Sequence, residues 1–121
     1  MYGRTKARLA RQCEAFNRAH PVGSTVRVWS SRLGGTPVVV QVREPGAFIL
    51  SGHTAVVYVS GVRGCIALSH VAEFIATASA FDLRVLAQGM RIPVVEMRQF
   101  AALARVAVSV ADAFEGGNHG R

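Results

Sequence analysis

The chain has 121 residues, of which half are hydrophobic and only 17% are charged. This composition excludes a globally disordered chain, which requires low hydrophobicity and high charge density, and the length corresponds to one domain. No apolar run reaches the roughly 18 residues of a membrane-spanning helix, and no apolar segment follows the basic start as in a secretory signal. We therefore expect a single cytoplasmic domain over residues 1–121.

The positive charge is concentrated in the first half of the chain. Fourteen basic residues against seven acidic ones give a net charge of +7. Residues 1–63 contain nine basic and two acidic residues, whereas residues 64–121 contain five of each. Such an asymmetry is typical of surfaces that contact nucleic-acid backbones or acidic proteins. The alternative is compositional, because thirteen of the cations are arginine, as in chains from GC-rich genomes.

The first predicted element is an amphipathic helix over residues 4–19. Leu9, Cys13 and Phe16 repeat at helical spacing and form an apolar stripe. The basic residues of the opposite face are candidates for binding nucleic acid or a protein partner: Arg4, Arg8, Arg11 and Arg18. The alternative is a solvated helix face without a ligand, because charges normally lie on the outside of such helices.

Between residues 22 and 71 the hydrophobic period changes from 3.6 to 2, which indicates β-strands. Five short strands are predicted, at residues 25–30, 38–43, 47–50, 55–60 and 65–68. Short strands joined by tight turns usually close into a small barrel that hides its edges. The predicted fold class is α+β, with a five-stranded SH3-like barrel as the first interpretation and a split OB-like barrel as the alternative.

Aromatic and basic residues are interleaved on the predicted strands. Arg27 and Trp29 share one face of the first strand, and Arg43 and Tyr58 lie on later strands. Exposed rings beside arginines stack on bases and hold phosphates, or form hot spots of protein interfaces. Arg27, Trp29 and Arg43 are therefore candidate partner contacts, with Tyr58 as a further one. The alternative is that Trp29 plugs the barrel against a flanking helix.

The rest of the sequence predicts a helical pair over residues 72–114 and a flexible tail over residues 115–121. The last helix, about residues 93–114, is so apolar that either the barrel or a second copy of the chain must cover it. We predict a homodimer joined through this helix; the alternative is a helix that packs within its own chain. The predicted interface residues are Val94, Met97, Phe100, Ala104 and Val108.

No pattern typical of catalysis or of a cofactor site is present. Cys65 lies between His53 and His70 along the chain, but this spacing matches no standard zinc-ligand pattern. Cys13 and Cys65 are expected to be buried thiols in a reducing compartment, and a bridge between them stays open. Carboxylates are too few among the strands to orient a catalytic base. We expect no enzymatic activity, no cofactor and no metal.

Residues 16–71 resemble a family of small, mostly uncharacterised proteins from phage, prophage and plasmid genomes. The matching residues are Phe16-Asn17, Pro21-Val22-Gly23, Val26-Arg27-Val28-Trp29, Gly52-His53-Thr54, Val56-Val57, Val59 and the segment GVRGCIALSHV at 61–71. Residues 42–48 (VREPGAF) stand where the family usually carries a Thr-Arg-Ser stretch. The resemblance implies a mobile-element setting and a small β-domain, and it implies no particular chemistry.

The function predicted from the sequence is a non-enzymatic binding module of a mobile element. It would contact nucleic acid through its basic N-terminal half. The alternative is a protein-binding accessory or inhibitor, such as a phage anti-defence protein of the anti-CRISPR kind. That protein would use Trp29 with the arginine face, or the apolar last helix, against an acidic or apolar protein surface.

Overall fold

The computed structural model describes residues 2–29 and 36–119, and it describes the side chains of residues 6–29 and 36–110. The described chain begins with helix α1 (Tyr2–Ala19). Four strands follow: β1 (Thr25–Val28), β2 (Val38–Leu50), β3 (Thr54–Val59) and β4 (Cys65–Ala67). A 3₁₀ turn (Leu68–His70) then leads to three helices: α2 (Ala72–Thr77), α3 (Ala80–Met90) and α4 (Val94–His119).

The four strands form one antiparallel sheet in the order β1-β2-β3-β4, curled into a half-barrel. The α+β class predicted from the sequence is confirmed. After the 3₁₀ turn the chain returns to the end of β1, where Val28 and Val71 form a bridge. The backbone N–H of Trp29 donates to the carbonyl of His70 at 3.0 Å. These contacts join the first strand to the segment after the last one and so hold the curl of the sheet.

The prediction of five strands is wrong, because residues 38–43 and 47–50 are the two halves of β2. The pairing of β2 with β3 changes register between these halves, so that residues 43–46 lie opposite the single residue Tyr58. Such an insertion is a bulge, which bends a strand without ending it. Gly46 has a φ of +82°, a conformation that glycine adopts without strain. The Glu-Pro-Gly sequence therefore marks a bend within one strand.

Helix α1 covers the inner face of the half-barrel. Its predicted apolar stripe is confirmed, since Leu9, Cys13 and Phe16 are all buried in the same core as the strands. The period-two pattern of the strands supplies the other side of this core, with every second residue directed inward. The inward strand residues are Val26, Val28, Val40, Val42, Ala47, Ala55, Val57, Val59 and Ile66.

Asn17 fastens the C-terminal end of α1 to the bulge of β2. Its side-chain nitrogen donates to the carbonyl of Ala47 at 3.0 Å, and its side-chain oxygen accepts from the N–H of Ala47 at 2.7 Å. A Cβ atom placed on Gly46 would lie 2.7 Å from Asn17 Oδ1. The Asn17 side chain therefore provides hydrogen-bond partners for the backbone N–H and C=O of Ala47. Because Gly46 has no Cβ, it leaves room for this contact.

Helix α4 packs within its own chain, against a second core that contains Trp29 and side chains of α2 and α3. Met97 and Ala104 have no exposed surface there. The other three residues of the predicted dimer interface are partly buried against the same core: Val94, Phe100 and Val108. Met97 and Ala104 are therefore covered by α2, α3 and Trp29 and are not open to a second copy, whereas a homodimer interface that includes Val94, Phe100 and Val108 stays a prediction.

Two smaller predictions also change. Three helices, rather than a pair, follow the sheet, because the side chain of Ser79 accepts the backbone N–H of Asp82 and starts α3 as a separate helix. The last helix continues to His119, through most of the segment 115–121 that was predicted to be a tail. Residues 120 and 121 lie outside the described residues.

Replacing Gly46 by alanine should destabilise the fold more than replacing Gly52 by alanine. Both glycines have a positive φ, +82° and +76°, so each substitution carries backbone strain of about 1 kcal/mol or more. Only at Gly46 does the added Cβ also displace Asn17, since nothing lies within 4 Å at Gly52. We expect the free energy of unfolding in urea to fall by about 1 kcal/mol more for Gly46→Ala.

The comparison has an internal control. In an Asn17→Ala background the two alanine variants should lose similar stability, because the obstructing side chain is gone. Equal losses for the two glycine variants in the otherwise unchanged protein would contradict the role assigned to Asn17.

Candidate functional site

The predicted basic face of α1 is partly open to solvent. Lys6, Arg11 and Arg18 are exposed, whereas the side chain of Arg4 lies outside the described side chains. Arg8 is half-buried and lines a groove together with Arg11. Its guanidinium contacts Asp82 of α3, so this arginine stabilises the packing of α1 against α3.

Asp82 is the centre of the contact between α1 and α3. Its Oδ1 atom accepts from Arg8 Nε at 2.8 Å and from Gln12 Nε2 at 3.0 Å, and its Oδ2 accepts from the Ser79 hydroxyl at 3.0 Å. The Arg8 guanidinium also lies 4.5 Å from the ring centre of Phe81. Burial by itself raises the pKa of Asp82, but the hydrogen bonds from Gln12, Arg8 and Ser79 and the charge of Arg8 outweigh it and lower that pKa.

Arg27 and Trp29, two predicted contacts for a partner, belong to the interior of the fold. Arg27 forms an ion pair with Glu73, and its backbone N–H donates to the same carboxylate at 2.7 Å. Trp29 is only 4% exposed and packs in the second core. The hypothesis of exposed ligand contacts is wrong for both, because the helices that follow the sheet cover this side of β1. Trp29 packs among side chains of α2, α3 and α4 in this second core, whereas the alternative placed it as a plug of the barrel.

The outer face of the sheet, which is the side away from α1, carries an exposed aromatic pair formed by Phe48 and Tyr58. Tyr58 is 37% exposed and Phe48 is half-buried. Their ring centres are 5.6 Å apart and their planes differ by 28°, a stacked arrangement. Tyr58 points outward because its neighbours Val57 and Val59 point into the core.

Two exposed arginines lie beside the aromatic pair in the strand register. Arg43 is the first residue of the bulge opposite Tyr58. Arg63 lies in the turn between β3 and β4, two residues before Cys65, which pairs with Tyr58. Sequence reasoning found Arg43 and Tyr58 but missed Phe48 and Arg63. Phe48 sits in an all-apolar run, Ala-Phe-Ile-Leu, in which alternation cannot show which side chain faces outward.

A groove of about 370 Å³ lies between α1 and the segment that contains α2 and the start of α3. Arg11 and Thr77 line it together with His20, whose pKa is lowered by burial although the charge of Glu73 opposes the shift. Gln12 is buried in its wall, and within the described part of the chain its Oε1 atom has no hydrogen-bond partner. The volume is at the lower end of those of ligand sites.

The histidines considered as zinc ligands have other neighbours. His53 Nδ1 lies 2.7 Å from the hydroxyl of Thr54, and His70 Nδ1 lies 3.2 Å from the hydroxyl of Ser69. Burial lowers the pKa of His70 and so favours its neutral form. Among the residues that the structure describes, no three His, Cys, Asp or Glu side chains are grouped as metal ligands would be.

Both cysteines are free thiols, so the bridge that the sequence left open is not formed. Burial, together with the charge of Glu14, raises the pKa of Cys13 to about 11. This thiol is therefore protonated at neutral pH and chemically inert. Cys65 is half-buried and lies opposite Tyr58 in the pairing of β3 and β4.

Comparison with known proteins supplies no assignment. No protein-family model matches the chain, and no curated protein and no solved structure is significantly similar to it. Within the described residues, none of the helices combines the length and the apolar character needed to cross a membrane.

Replacing Asp82 by asparagine should destabilise the fold in a pH-dependent manner. Because the folded-state pKa is lowered, the stabilisation by the carboxylate is fully present above its unfolded pKa of about 3.9 and is lost as the pH falls through the folded value. We expect Asp82→Asn to lose about 1–3 kcal/mol at neutral pH. The difference from the unchanged protein should narrow as the pH falls below about 3.9, as measured by urea unfolding at neutral and at acid pH.

The exposed carboxylate of Glu14 provides the control, since Glu14→Gln should produce no comparable difference at neutral pH. An Asp82→Asn effect of the same size at both pH values would contradict the ionic role of Asp82.

Proposed function

We propose that this protein is a non-enzymatic binding module that contacts nucleic acid through its basic N-terminal half. The supporting observation is the charge that the fold leaves on the surface. Among the described side chains of residues 1–63, the exposed carboxylates are Glu14 and Glu44. The exposed cations of the same part of the chain are Lys6, Arg11, Arg18, Arg43 and Arg63. Phosphate backbones are bound mainly by such exposed cations.

The arrangement of these cations favours an extended polyanion over a compact anion. Asn17 joins α1 to Ala47 at the edge of the sheet. Arg18 is the next residue of α1, and Arg43 precedes Ala47 by four residues on β2. The end of α1 that carries Arg18 therefore lies next to the bulge of β2, which begins with Arg43. A flexible chain of phosphates can follow both elements, because its charges repeat along its length.

The finer fold assignment is part of the same proposal. We take the half-barrel as SH3-like, because the chain returns to the end of β1 after a 3₁₀ turn. The resemblance of residues 16–71 to phage, prophage and plasmid proteins supports a mobile-element setting in the cytoplasm. Small barrels of this kind serve many unrelated functions, so the surface charge, rather than the fold, is the argument for nucleic acid.

Protein binding, including an anti-defence role, is the second candidate, and one observation favours it. The side of α4 that faces away from the second core exposes large apolar residues: Val95, Leu103, Val106 and Val110. Apolar helix faces of this kind are typical of protein interfaces. A homodimer stays a prediction, and it would use this exposed side of α4. An apolar contact changes little with salt, whereas phosphate contacts weaken by orders of magnitude as salt rises.

Replacing Arg11 and Arg18 together by glutamine should weaken nucleic-acid binding and flatten its salt dependence. In fluorescence anisotropy with labelled oligonucleotides, we expect a loss on the order of tenfold in affinity at low salt. The slope of log K against log[salt] should decrease in magnitude by about 1.5–2, because two phosphate contacts are lost. Arg8 is left unchanged because it holds Asp82.

The matched control is the double variant Arg98→Gln/Arg105→Gln. Both residues are exposed on α4, outside the basic half, and their removal lowers the net charge by the same amount. This control should bind within about twofold of the unchanged protein. Equal losses in the two double variants, or no loss in the first, would refute binding through the basic half.

A further inference from the structure

We propose that the nucleic acid is single-stranded and that its bases stack on the aromatic pair Phe48–Tyr58. This inference rests on the proposed function, and it adds the class of nucleic acid and a second contact surface. Non-sequence-specific binding of single strands combines exposed aromatic rings with cations that hold the backbone. The outer face of the sheet contains both kinds of group.

The aromatic pair is not needed to fill either core. The buried rings of the two cores are Phe16 and Trp29, and the half-buried rings of Phe74 and Phe100 pack against them. Phe48 and Tyr58 instead lie on the outer face, where their stacked arrangement extends an apolar surface into solvent. Exposed large apolar groups that do not serve the core are typical of binding sites.

The β4 side of the aromatic pair carries small side chains. Cys65 lies opposite Tyr58, and Ala67 lies opposite Val56, a buried residue two positions before Tyr58. Neither Cys65 nor Ala67 is bulky enough to cover the Tyr58 ring. Tyr58 is accordingly 37% exposed, which leaves part of its ring open to a flat base.

Cations complete the surface on the two sides of the ring. Arg43 stands at the start of the bulge that faces Tyr58, and Arg63 lies in the turn that leads to Cys65. Glu44 is the exposed acidic residue beside Arg43. The charge of this surface is therefore complementary to a phosphate backbone that passes on either side of the stacked bases.

A double helix does not fit this surface equally well. In a duplex each base already stacks on its neighbours, and its faces are hidden between base pairs. The aromatic pair could then reach no base, and only the arginines would contact the duplex. The inference therefore predicts tighter binding of single strands than of duplexes. It also predicts that Tyr58 contributes to the affinity for single strands alone.

The test uses fluorescence anisotropy at low salt with three labelled probes of about 15 nucleotides or base pairs: oligo-dT, oligo-rU and a mixed-sequence DNA duplex. We expect tighter binding of the single strands, and the two single-stranded probes show whether DNA or RNA is preferred. Tyr58→Ala should weaken single-strand binding about 5- to 150-fold. It should leave duplex binding within about twofold.

Two further variants separate stacking from folding. Tyr58→Phe keeps the ring and should bind single strands within about twofold of the unchanged protein. Val39→Ala removes an exposed apolar side chain elsewhere on β2 and should have no effect on binding. Thermal unfolding of each variant shows that the fold is retained.

Photocrosslinking locates the contact without any substitution in the protein. A single-stranded oligonucleotide that contains bromouridine is irradiated with the protein, which is then digested with trypsin. Cleavage after Arg43 and Arg63 produces the peptide 44–63, which contains both Phe48 and Tyr58. We expect the crosslink in this peptide, on one of the two rings.

The outcomes distinguish the two proposals. If Tyr58→Ala binds oligo-dT and oligo-rU normally while Arg11→Gln/Arg18→Gln binds them weakly, the stacking inference is wrong and the proposed function stands. Equal affinity for duplex and single strands, or crosslinks confined to α1, overturns the inference in the same way. If no probe binds at low salt, the proposed function and the inference both fail, and a protein partner is indicated.

Discussion

The fold depends on the packing of α1 into the open side of the half-barrel. A curled sheet of four strands has an apolar inner face, which is stable only when another element covers it. Phe16 fills the centre of this contact, flanked by Leu9 and Cys13. Each buried side chain of this size contributes about 1.5–3 kcal/mol. Asn17 fixes the end of the helix to the bulge, so the contact has one register.

Folding also determines which charges stay exposed on the surface. The charge excess of the first half is reduced in the folded chain, because two carboxylates of the second half pair with its arginines. Asp82 binds Arg8, and Glu73 binds Arg27. The remaining exposed arginines of the first half include Arg11 and Arg18 on α1 and Arg43 at the bulge. Among the described side chains, folding thus leaves exposed arginines both on α1 and at the bulge of β2.

The aromatic residues show how tertiary cover decides the role of a side chain. Trp29 directly follows β1 and Tyr58 lies on β3, each with an arginine near it, and both were candidates from the sequence alone. The helices after the sheet cover Trp29 and incorporate it into the second core. They leave Tyr58 exposed on the outer face, stacked on Phe48. The difference arises because helices cover Trp29 and do not cover Tyr58. No local sequence pattern shows which part of a sheet will be covered.

The sequence by itself determined the α+β class, the apolar stripe of α1 and the alternation of the strands, because periodicity directly reports which side of an element must be buried. It could not determine what covers each side. The sequence Glu-Pro-Gly is compatible with a bulge as well as with a turn. The apolar stripe of α4 is compatible with packing against a second copy or against its own chain. The ion pairs of Arg27 and Arg8 span 46 and 74 residues. Only the tertiary structure decided these points, since long-range packing selects the partner of each face.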